Sequence, residues 1–217
     1  GYKALCSNTT GASNISIGTC SMRINTTGAN NVAVGDKALC ANTTASNNTA
    51  VGNAALCLNT TGTDNIAMGS CTLDANTTGN SNTAIGRLSL TANTTGSNNS
   101  AVGAGSLLTN TTGDSNVAFG VSSLRLNTTG DFNTGIGLCS IYTNTTGGCN
   151  SALGNDSLRA NTTGSENTTV GSASMLLNTT GASNAAMGRS ALRNNTTGAN
   201  NVAVGKDSLK TNTTASG

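Results

Sequence analysis

The sequence contains no histidine, no proline and no tryptophan, and it has only two phenylalanines and two tyrosines among 217 residues. Apolar residues make up 35% of the chain, below the roughly 45–50% of ordinary globular domains. A thick hydrophobic core is therefore excluded. Histidine is the commonest acid–base catalyst and metal ligand, and no constellation of catalytic or zinc-ligating residues recurs. We predict that the chain is not an enzyme and binds no metal or cofactor.

Charge is also scarce, because ten Lys and Arg and eight Asp and Glu residues give a net charge of only +2. The basic residues form no run, which argues against a nucleic-acid partner. No apolar stretch approaches the roughly 18–20 residues of a membrane span, so we expect no membrane insertion, and no signal peptide is visible. Gly1 and Gly217 both fall inside a repeat, from which we expect a fragment of a longer chain.

One motif of seventeen residues fills the chain, about 12.8 times, without insertion or deletion. The copy from Asn25 to Ala41 is typical, and its residues define repeat positions 1 to 17. A short fixed period is typical of stacked arrays in which each unit contacts only its neighbours. It predicts an all-β fold, a β-solenoid or β-roll with one coil per repeat, running as a single continuous array over residues 1–217.

Two positions of the repeat hold large apolar residues, position 10 and position 15. We expect both columns to be the most buried, and charged positions 5, 6, 12, 13 and 16 to be exposed. Positions 9 and 14 hold small residues, which is typical of places where another backbone comes close. The apolar ladders include Val34, Val51, Met68 and Ile85 at position 10, and Leu39, Leu56, Leu73 and Leu90 at position 15.

Asparagine and glycine are the most constant residues of the repeat. Asn fills positions 1 and 7, where stacked amides about 4.8 Å apart can form hydrogen-bonded ladders, as at Asn31, Asn48 and Asn65. Gly at positions 4 and 11 predicts two corners with positive φ, at Gly28, Gly35, Gly52 and Gly69. The run Asn31–Val34 favours a short strand, whereas the run 36–40 could form a second strand or a single helical turn.

Every Asn-Thr-Thr is also an N-glycosylation sequon, so the position-1 asparagines are candidate sugar acceptors. A glycosylated Asn must point outward and cannot also serve a buried ladder, and the sequence leaves both alternatives open. Further sequons begin at Asn14, Asn47, Asn98, Asn167 and Asn194. The thirteen candidates are Asn8, Asn25, Asn42, Asn59, Asn76, Asn93, Asn110, Asn127, Asn144, Asn161, Asn178, Asn195 and Asn212.

Two pairs of identical side chains that could react or titrate together occupy the same position in consecutive repeats, one pair of cysteines and one of aspartates. Cys40 and Cys57 would lie about 4.8 Å apart between Cα atoms, within disulfide range, or remain free as small packing residues. Asp114 and Asp131 could form a carboxylate pair or two solvated surface charges.

The thin core predicts that chains associate, as a homotrimer or a filament. In that arrangement Ala33, Ala50, Ala67 and Ala84 at position 9 lie at the contact between chains. The alternative is a solitary solenoid whose alanines pack against the opposite wall of their own coil.

The residues Gly1-Tyr2-Lys3-Ala4-Leu5-Cys6-Ser7-Asn8-Thr9-Thr10-Gly11 resemble the repeats of phage and giant-virus tail or surface fibres. The stretch Asn31-Val32-Ala33-Val34-Gly35 also resembles the head repeats of trimeric autotransporter adhesins. These resemblances imply a left-handed β-roll, a homotrimer and a place on a virion or cell surface, outside the cell. They imply a host-surface glycan or protein as a further partner.

Three functions follow. The first is a non-enzymatic structural or adhesive fibre shaft. The second is an ice- or glycan-binding solenoid, because Thr9, Thr10 and their copies form two threonine columns, although adjacent residues of a strand point to opposite sides. The third is a self-associating extracellular matrix filament that carries N-linked sugars.

Overall fold

The computed structural model describes residues 1–217 and contains twelve parallel strands and no helix. The chain divides into two compact units, Gly1–Thr112 and Gly113–Gly217. The first unit contains β1 (Ile15–Ile17), β2 (Val32–Val34), β3 (Thr49–Val51), β4 (Ile66–Met68), β5 (Thr83–Ile85) and β6 (Ser100–Val102). The second contains β7 (Val117–Phe119), β8 (Thr134–Ile136), β9 (Ser151–Leu153), β10 (Thr168–Val170), β11 (Ala185–Met187) and β12 (Val202–Val204).

Within each unit every strand pairs in parallel with the strand one repeat later. Val32 lies beside Thr49, Ala33 beside Ala50 and Val34 beside Val51, an offset of one seventeen-residue repeat. The same register holds between β8 and β9 in the second unit. The prediction of an all-β solenoid with one coil per repeat is confirmed.

The position-15 side chains fill the centre of the coil. Leu39, Leu56, Leu73 and Leu90 are completely buried, as are their counterparts in the second unit from Leu124 to Leu192. Burying a leucine side chain contributes roughly 1.5–3 kcal/mol. The Leu column, as we call position 15, is therefore the hydrophobic core, as predicted.

The prediction that position 10 is equally buried is wrong. Val34 and Val51 are only half-buried, Met68 is 43% exposed and Ile85 is 38% exposed. The cause is the alternation of a strand, in which successive side chains point to opposite faces. The strand covers positions 8 to 10, and its middle residue points inward, so the two flanking residues point outward.

The small residues at position 9, the Ala column, occupy the inward place. Ala33, Ala50, Ala67 and Ala84 are completely buried within the single chain. They face the position-14 wall of the coil, where Ser89 Oγ donates a hydrogen bond of 3.1 Å to the Ala101 carbonyl. The prediction that these alanines lie at a contact between chains is therefore wrong, and the alternative of packing inside their own coil is confirmed.

The return segment, positions 12 to 17, is neither the second strand nor the helical turn considered above, but a series of turns. Its residues at positions 13 and 15 have left-handed φ values, for example 56° at Lys37 and 50° at Leu39. This geometry points the N–H groups of positions 13 and 15 in opposite directions along the stack. Lys37 donates to the Thr19 carbonyl of the preceding coil, and Leu39 donates to the Ala55 carbonyl of the next. The segment is thus hydrogen-bonded to both neighbours without being a strand.

Glycine is favoured at positions 4 and 11 for different physical reasons. Gly35, Gly52 and Gly69 follow the strand with φ of 140°, 138° and 137°, which confirms the predicted corner with positive φ. Gly28 has no positive φ, so the same prediction is wrong there. A Cβ atom at Gly28 would lie 2.6 Å from Asn25 Oδ1 and closer still to the Ala45 carbonyl oxygen. Position 4 excludes a side chain because the next coil and an amide approach it closely.

Candidate functional site

The position-1 asparagines, the first Asn column, form a continuous amide ladder inside each unit. Asn42 Nδ2 donates to Asn25 Oδ1 at 2.7 Å, and Asn76 Nδ2 donates to Asn59 Oδ1 at 2.8 Å. The second Nδ2 hydrogen of Asn42 is donated at 3.0 Å to the Ala45 carbonyl, three residues on in its own coil. Each amide therefore links to the preceding coil and closes a turn in its own.

The position-7 asparagines, the second Asn column, form a parallel ladder. Asn48 Oδ1 accepts both the backbone N–H and the side-chain Nδ2 of Asn65, at 3.0 and 3.2 Å. Asn48 Nδ2 donates at 3.0 Å to the Gly62 carbonyl of the next coil. Because Asn59 Nδ2 donates to the same carbonyl at 2.9 Å, this oxygen joins the two columns. The predicted ladders at Asn31, Asn48 and Asn65 are confirmed.

These networks leave no buried side-chain nitrogen or oxygen without a hydrogen-bond partner. An asparagine amide supplies two donors and an acceptor on one short side chain. Aspartate would replace the donors with a charge, and glutamine is one methylene too long for the same place. A buried polar core of this kind is stable only when every group is paired.

Of the two alternatives left open for the first Asn column, the structure shows the buried ladder and not an outward-pointing sugar acceptor. The eleven inner copies, from Asn25 to Asn195, are completely buried. In these copies Nδ2, the atom to which a sugar would be joined, donates into the ladder, as Asn42 and Asn144 show. The two outer copies, Asn8 and Asn212, are partly exposed, and their Nδ2 atoms also donate to position-4 carbonyls.

Each pair of threonines divides into one bonded and one outward side chain. The position-2 hydroxyl is used internally, since Thr26 Oγ1 donates at 3.0 Å to the Thr43 carbonyl. The position-3 threonines, the Thr column, are exposed in every copy. In the first unit they are Thr10, Thr27, Thr44, Thr61, Thr78, Thr95 and Thr112, and in the second they are Thr129, Thr146, Thr163, Thr180, Thr197 and Thr214. The two equivalent threonine columns expected from the sequence reduce to one.

The outer face of the strands, formed by positions 8 and 10, is an uncharged surface of large apolar side chains at position 10 and of apolar or hydroxyl side chains at position 8, and we call it the outer apolar face. It includes Ile66 and Met68 in the first unit and Phe119, Ile136 and Leu153 in the second, each between 39% and 50% exposed. Where small residues at position 8 stand beside larger ones at position 10, a shallow depression of about 90 Å³ forms over β8–β10. Contiguous exposed apolar surfaces of this kind mark interaction sites.

Of the two equal-position pairs, the cysteines remain free, and the aspartates are neither a carboxylate pair nor two purely solvated charges. All seven cysteines are free, so Cys40 and Cys57 are not bridged. Burial, then the neighbouring Cys40 and Asp74, raise the pKa of the Cys57 thiol to about 11, which keeps it protonated at neutral pH. The Asp131 carboxylate accepts a hydrogen bond of 2.7 Å from the backbone N–H of Asp114 and serves the backbone.

The charged positions are less uniformly exposed than predicted. Positions 6 and 12 are exposed in nearly all copies, whereas positions 5, 13 and 16 are half-buried in most. No group of three or more Cys, Asp or Glu side chains is arranged to hold a metal ion.

Sequence reasoning missed the left-handed residues at positions 6, 13 and 15. A signal existed at position 6, where Asn30, Asn47 and Asp64 are residue types that tolerate this conformation. No such signal exists at position 15, where the left-handed residues are Leu, Met and Ile.

No segment of the chain forms a helix with the length and apolarity needed to cross a membrane. Comparison with protein families, with curated proteins and with solved structures found no match.

Proposed function

We propose that this chain is a segment of the shaft of a structural or adhesive fibre, displayed on the outside of a virion or a cell. The observation that carries the proposal is the pair of asparagine ladders, which each repeat extends with the same bonds. Length is then added one repeat at a time without a new core. The buried asparagine side chains bond to one another, and the same bonds hold neighbouring coils together.

The hydrogen bonds between neighbouring coils are numerous enough to hold a shaft together. Between the coils that begin at Asn25 and Asn42, eight backbone hydrogen bonds connect turns and loops, in addition to those of the strands. Each contributes a net stability of order 1 kcal/mol, and all run from one coil to the next. Separating two coils therefore requires many bonds to break together.

The test of the shaft is the dependence of length on repeat number. We expect ten additional in-register repeats to lengthen the particle by about 48 Å, at about 4.8 Å per coil, as measured by negative-stain electron microscopy. The matched control carries the same added residues in shuffled order. Rounded particles whose longest dimension does not depend on repeat number would contradict the proposal.

Self-association is part of the proposal, as a homotrimer or a filament, and the outer apolar face is the surface that supports it. This face contains no charged residue in any copy, and a second copy presents the same side chains at the same axial period. Light scattering tests this role. We expect the double substitution Val51→Lys and Ile85→Lys to reduce the measured mass to that of a monomer, whereas Asn53→Lys and Ser70→Lys at exposed position 12 leave it unchanged. A monomeric mass for the unsubstituted protein would reject association.

Ice binding is the second candidate, because the Thr column is exposed in every copy and its members repeat in register. A regular row of hydroxyl and methyl groups is a surface on which ordered water could be matched. Thermal hysteresis measures this activity directly, and Thr61→Lys with Thr78→Lys should abolish it. Freezing behaviour equal to that of an inert protein at the same concentration would exclude the candidate.

A further inference from the structure

The basic residues of the second unit lie together in the return segment of the coil. They are Arg125, Arg159, Arg193 and Lys210 at position 16 and Arg189 and Lys206 at position 12, and we call them the basic edge. Two acidic residues share this segment, and both are paired there, Asp156 with Arg159 at 3.5 Å and Asp207 with Lys210 at 3.0 Å. The other three acidic residues of the unit, Asp114, Asp131 and Glu166, precede the strand at positions 5 and 6.

In the last coil, Asp207 lies among cations of both positions, 12 and 16, and Lys210 Nζ is 3.0 Å from its carboxylate. The hydrogen bond from Lys210, followed by the charges of Lys210, Lys206 and Arg189, lowers the pKa of Asp207. The charge of Arg189, one coil away, therefore acts on the same carboxylate as the charges of Lys206 and Lys210. The six cations exceed the two anions of this segment, so the basic edge has a positive excess.

Tyr142 organises the beginning of the basic edge. Its ring lies between two guanidinium groups, with Arg125 Cζ at 6.0 Å and Arg159 Cζ at 5.7 Å from the ring centroid. The three residues occupy position 16 of consecutive coils, in register because Leu126 N–H bonds to the Tyr142 carbonyl and Thr143 N–H to the Arg159 carbonyl. Contacts between cations and aromatic faces restrict the arginine side chains before a ligand arrives.

The arginines of position 16 recur in every second coil, at Arg125, Arg159 and Arg193. At about 4.8 Å per coil, their backbones are about 9.6 Å apart along the stack. A linear polymer lying along these three arginines would therefore meet a cation at wide, regular intervals.

We propose that the basic edge of the second unit binds a linear acidic polysaccharide, one with about one carboxylate per disaccharide, laid along the stack of coils. Arg125, Arg159 and Arg193 contact successive carboxylates, and Tyr142 holds the first two guanidinium groups apart. Each contact is weak at an exposed site. Several contacts on one polymer add to a useful affinity because the second and later ones are intramolecular.

The spacing distinguishes this partner from nucleic acid. Duplex DNA carries a charge about every 1.7 Å, whereas the basic edge offers at most one position-16 cation per coil and shows a single aromatic ring. A polymer with widely spaced carboxylates fits the sparse cations better. The acidic residues of a second copy are the remaining competitor, and the experiment separates them.

The test measures binding of fluorescently labelled hyaluronate to the full chain by fluorescence anisotropy at low salt. The triple substitution Arg125→Gln, Arg159→Gln and Arg193→Gln should weaken binding by about tenfold or more, since three charge contacts at the surface are removed. The matched control, Arg23→Gln, Lys37→Gln and Arg87→Gln, removes the same number of cations from the return segments of the first unit and should change binding by less than about twofold. Circular dichroism verifies that both variants are folded.

Tyr142→Leu tests the stack separately, because it keeps every charge. We expect it to weaken hyaluronate binding by about threefold, through the lost organisation of Arg125 and Arg159. Added salt should weaken binding of the unsubstituted protein.

Four results would overturn the proposal. These are an absence of hyaluronate binding at low salt, equal losses in the two triple variants, tighter binding of a single-stranded thymidine oligonucleotide than of hyaluronate, or arginine-dependent self-association without polysaccharide binding. The proposal is independent of the fibre role, because a shaft with no affinity for polysaccharide would still lengthen with added repeats.

Discussion

An asparagine in the middle of the first Asn column donates two hydrogen bonds and accepts one, and the column works only if each member does the same. Asn59 donates to Asn42 Oδ1 and to the Gly62 carbonyl, and it accepts from Asn76. The residue is completely buried, so no water can replace a lost partner. Each buried asparagine of the column therefore needs the same set of hydrogen-bond partners.

Substitution of Asn59 by aspartate tests this requirement with almost no change of shape. Asn59→Asp places a carboxyl group against two acceptor oxygens, and we expect the free energy of unfolding to fall by about 3 kcal/mol or more at pH 7. Asn98→Asp, at an exposed place of position 6, should change it by less than about 0.5 kcal/mol. Urea denaturation measures both.

The pH dependence gives the same substitution a second readout. Burial raises the pKa of the introduced carboxyl group above its unfolded value of about 3.9. The folded state then binds the proton more tightly, so stability falls as pH rises from about 4 to the raised pKa, and the loss should be smallest below about pH 4. A loss that did not vary with pH would contradict burial of the charge.

The left-handed residues carry strain that glycine would relieve. Ala54, at position 13, has φ of 53°, a conformation that disfavours any residue with a Cβ atom by roughly 1–2 kcal/mol. Ala54→Gly should therefore raise the free energy of unfolding by up to about 1 kcal/mol after the entropy of the unfolded chain is counted. Ala29→Gly, where φ is not positive, should lower it by about 0.5–1 kcal/mol. Equal effects in thermal melts would show that position 13 is not strained.

The asparagine ladders could be predicted from the sequence, because an amide that returns at a fixed period can bond to its own copies in a stack. The backbone strain at position 15 could not be predicted, because Leu39 and Leu56 have the sequence pattern of ordinary core residues. Gly28 shows the same limit, since close approach and positive φ both select glycine. Only the three-dimensional structure separates the two causes.

At the scale of the element, the three-residue strand decides which apolar column is buried. Leu90→Ala should lower the free energy of unfolding by about 2–5 kcal/mol, because the Leu column is fully buried and the space cannot collapse. Ile85→Ala, on the outer apolar face, should lower it by less than about 1 kcal/mol in the monomer. Chemical denaturation at concentrations where the protein is monomeric compares them, and equal losses would contradict the outward orientation of position 10.

The outward orientation of position 10 has a physical reason. Val34 and Ile85 are large and apolar, and large apolar side chains predict burial. In a coil this narrow, the strand residue that points inward faces the opposite wall and must be small, as Ala33 and Ala84 are. The alternation of large, small and large across β2 contained this information, but a run of three residues does not show which face is the core.

At the scale of the whole molecule, stability is shared between neighbouring coils, because each coil contacts only the coils before and after it. Every ladder described above joins residues one repeat apart, such as Asn42 to Asn25 and Val34 to Val51. The period could be read from the sequence. The function of the surface columns could not be predicted, because a regular surface column such as the Thr column does not identify what it binds.

This neighbour-only architecture predicts that whole coils can be removed and partial coils cannot. Deletion of residues 64–80 joins Thr63 to Ser81 and keeps every position in register, so we expect a cooperative transition with a smaller m-value, in proportion to the surface lost. Deletion of residues 64–81 joins Thr63 to Asn82 and removes one more residue, the left-handed one at position 6.

The second deletion leaves a coil of sixteen residues, which cannot present both asparagines and the alanine to the next coil at once. A one-residue slip also reverses which side chains point inward. We therefore expect the eighteen-residue deletion to lower the free energy of unfolding by several kcal/mol more than the seventeen-residue deletion, although the two chains differ only in Ser81. Urea denaturation followed by circular dichroism makes the comparison. Equal stability of the two would mean that the coil tolerates variable length, and the fixed period would then need a cause outside the packing of the chain.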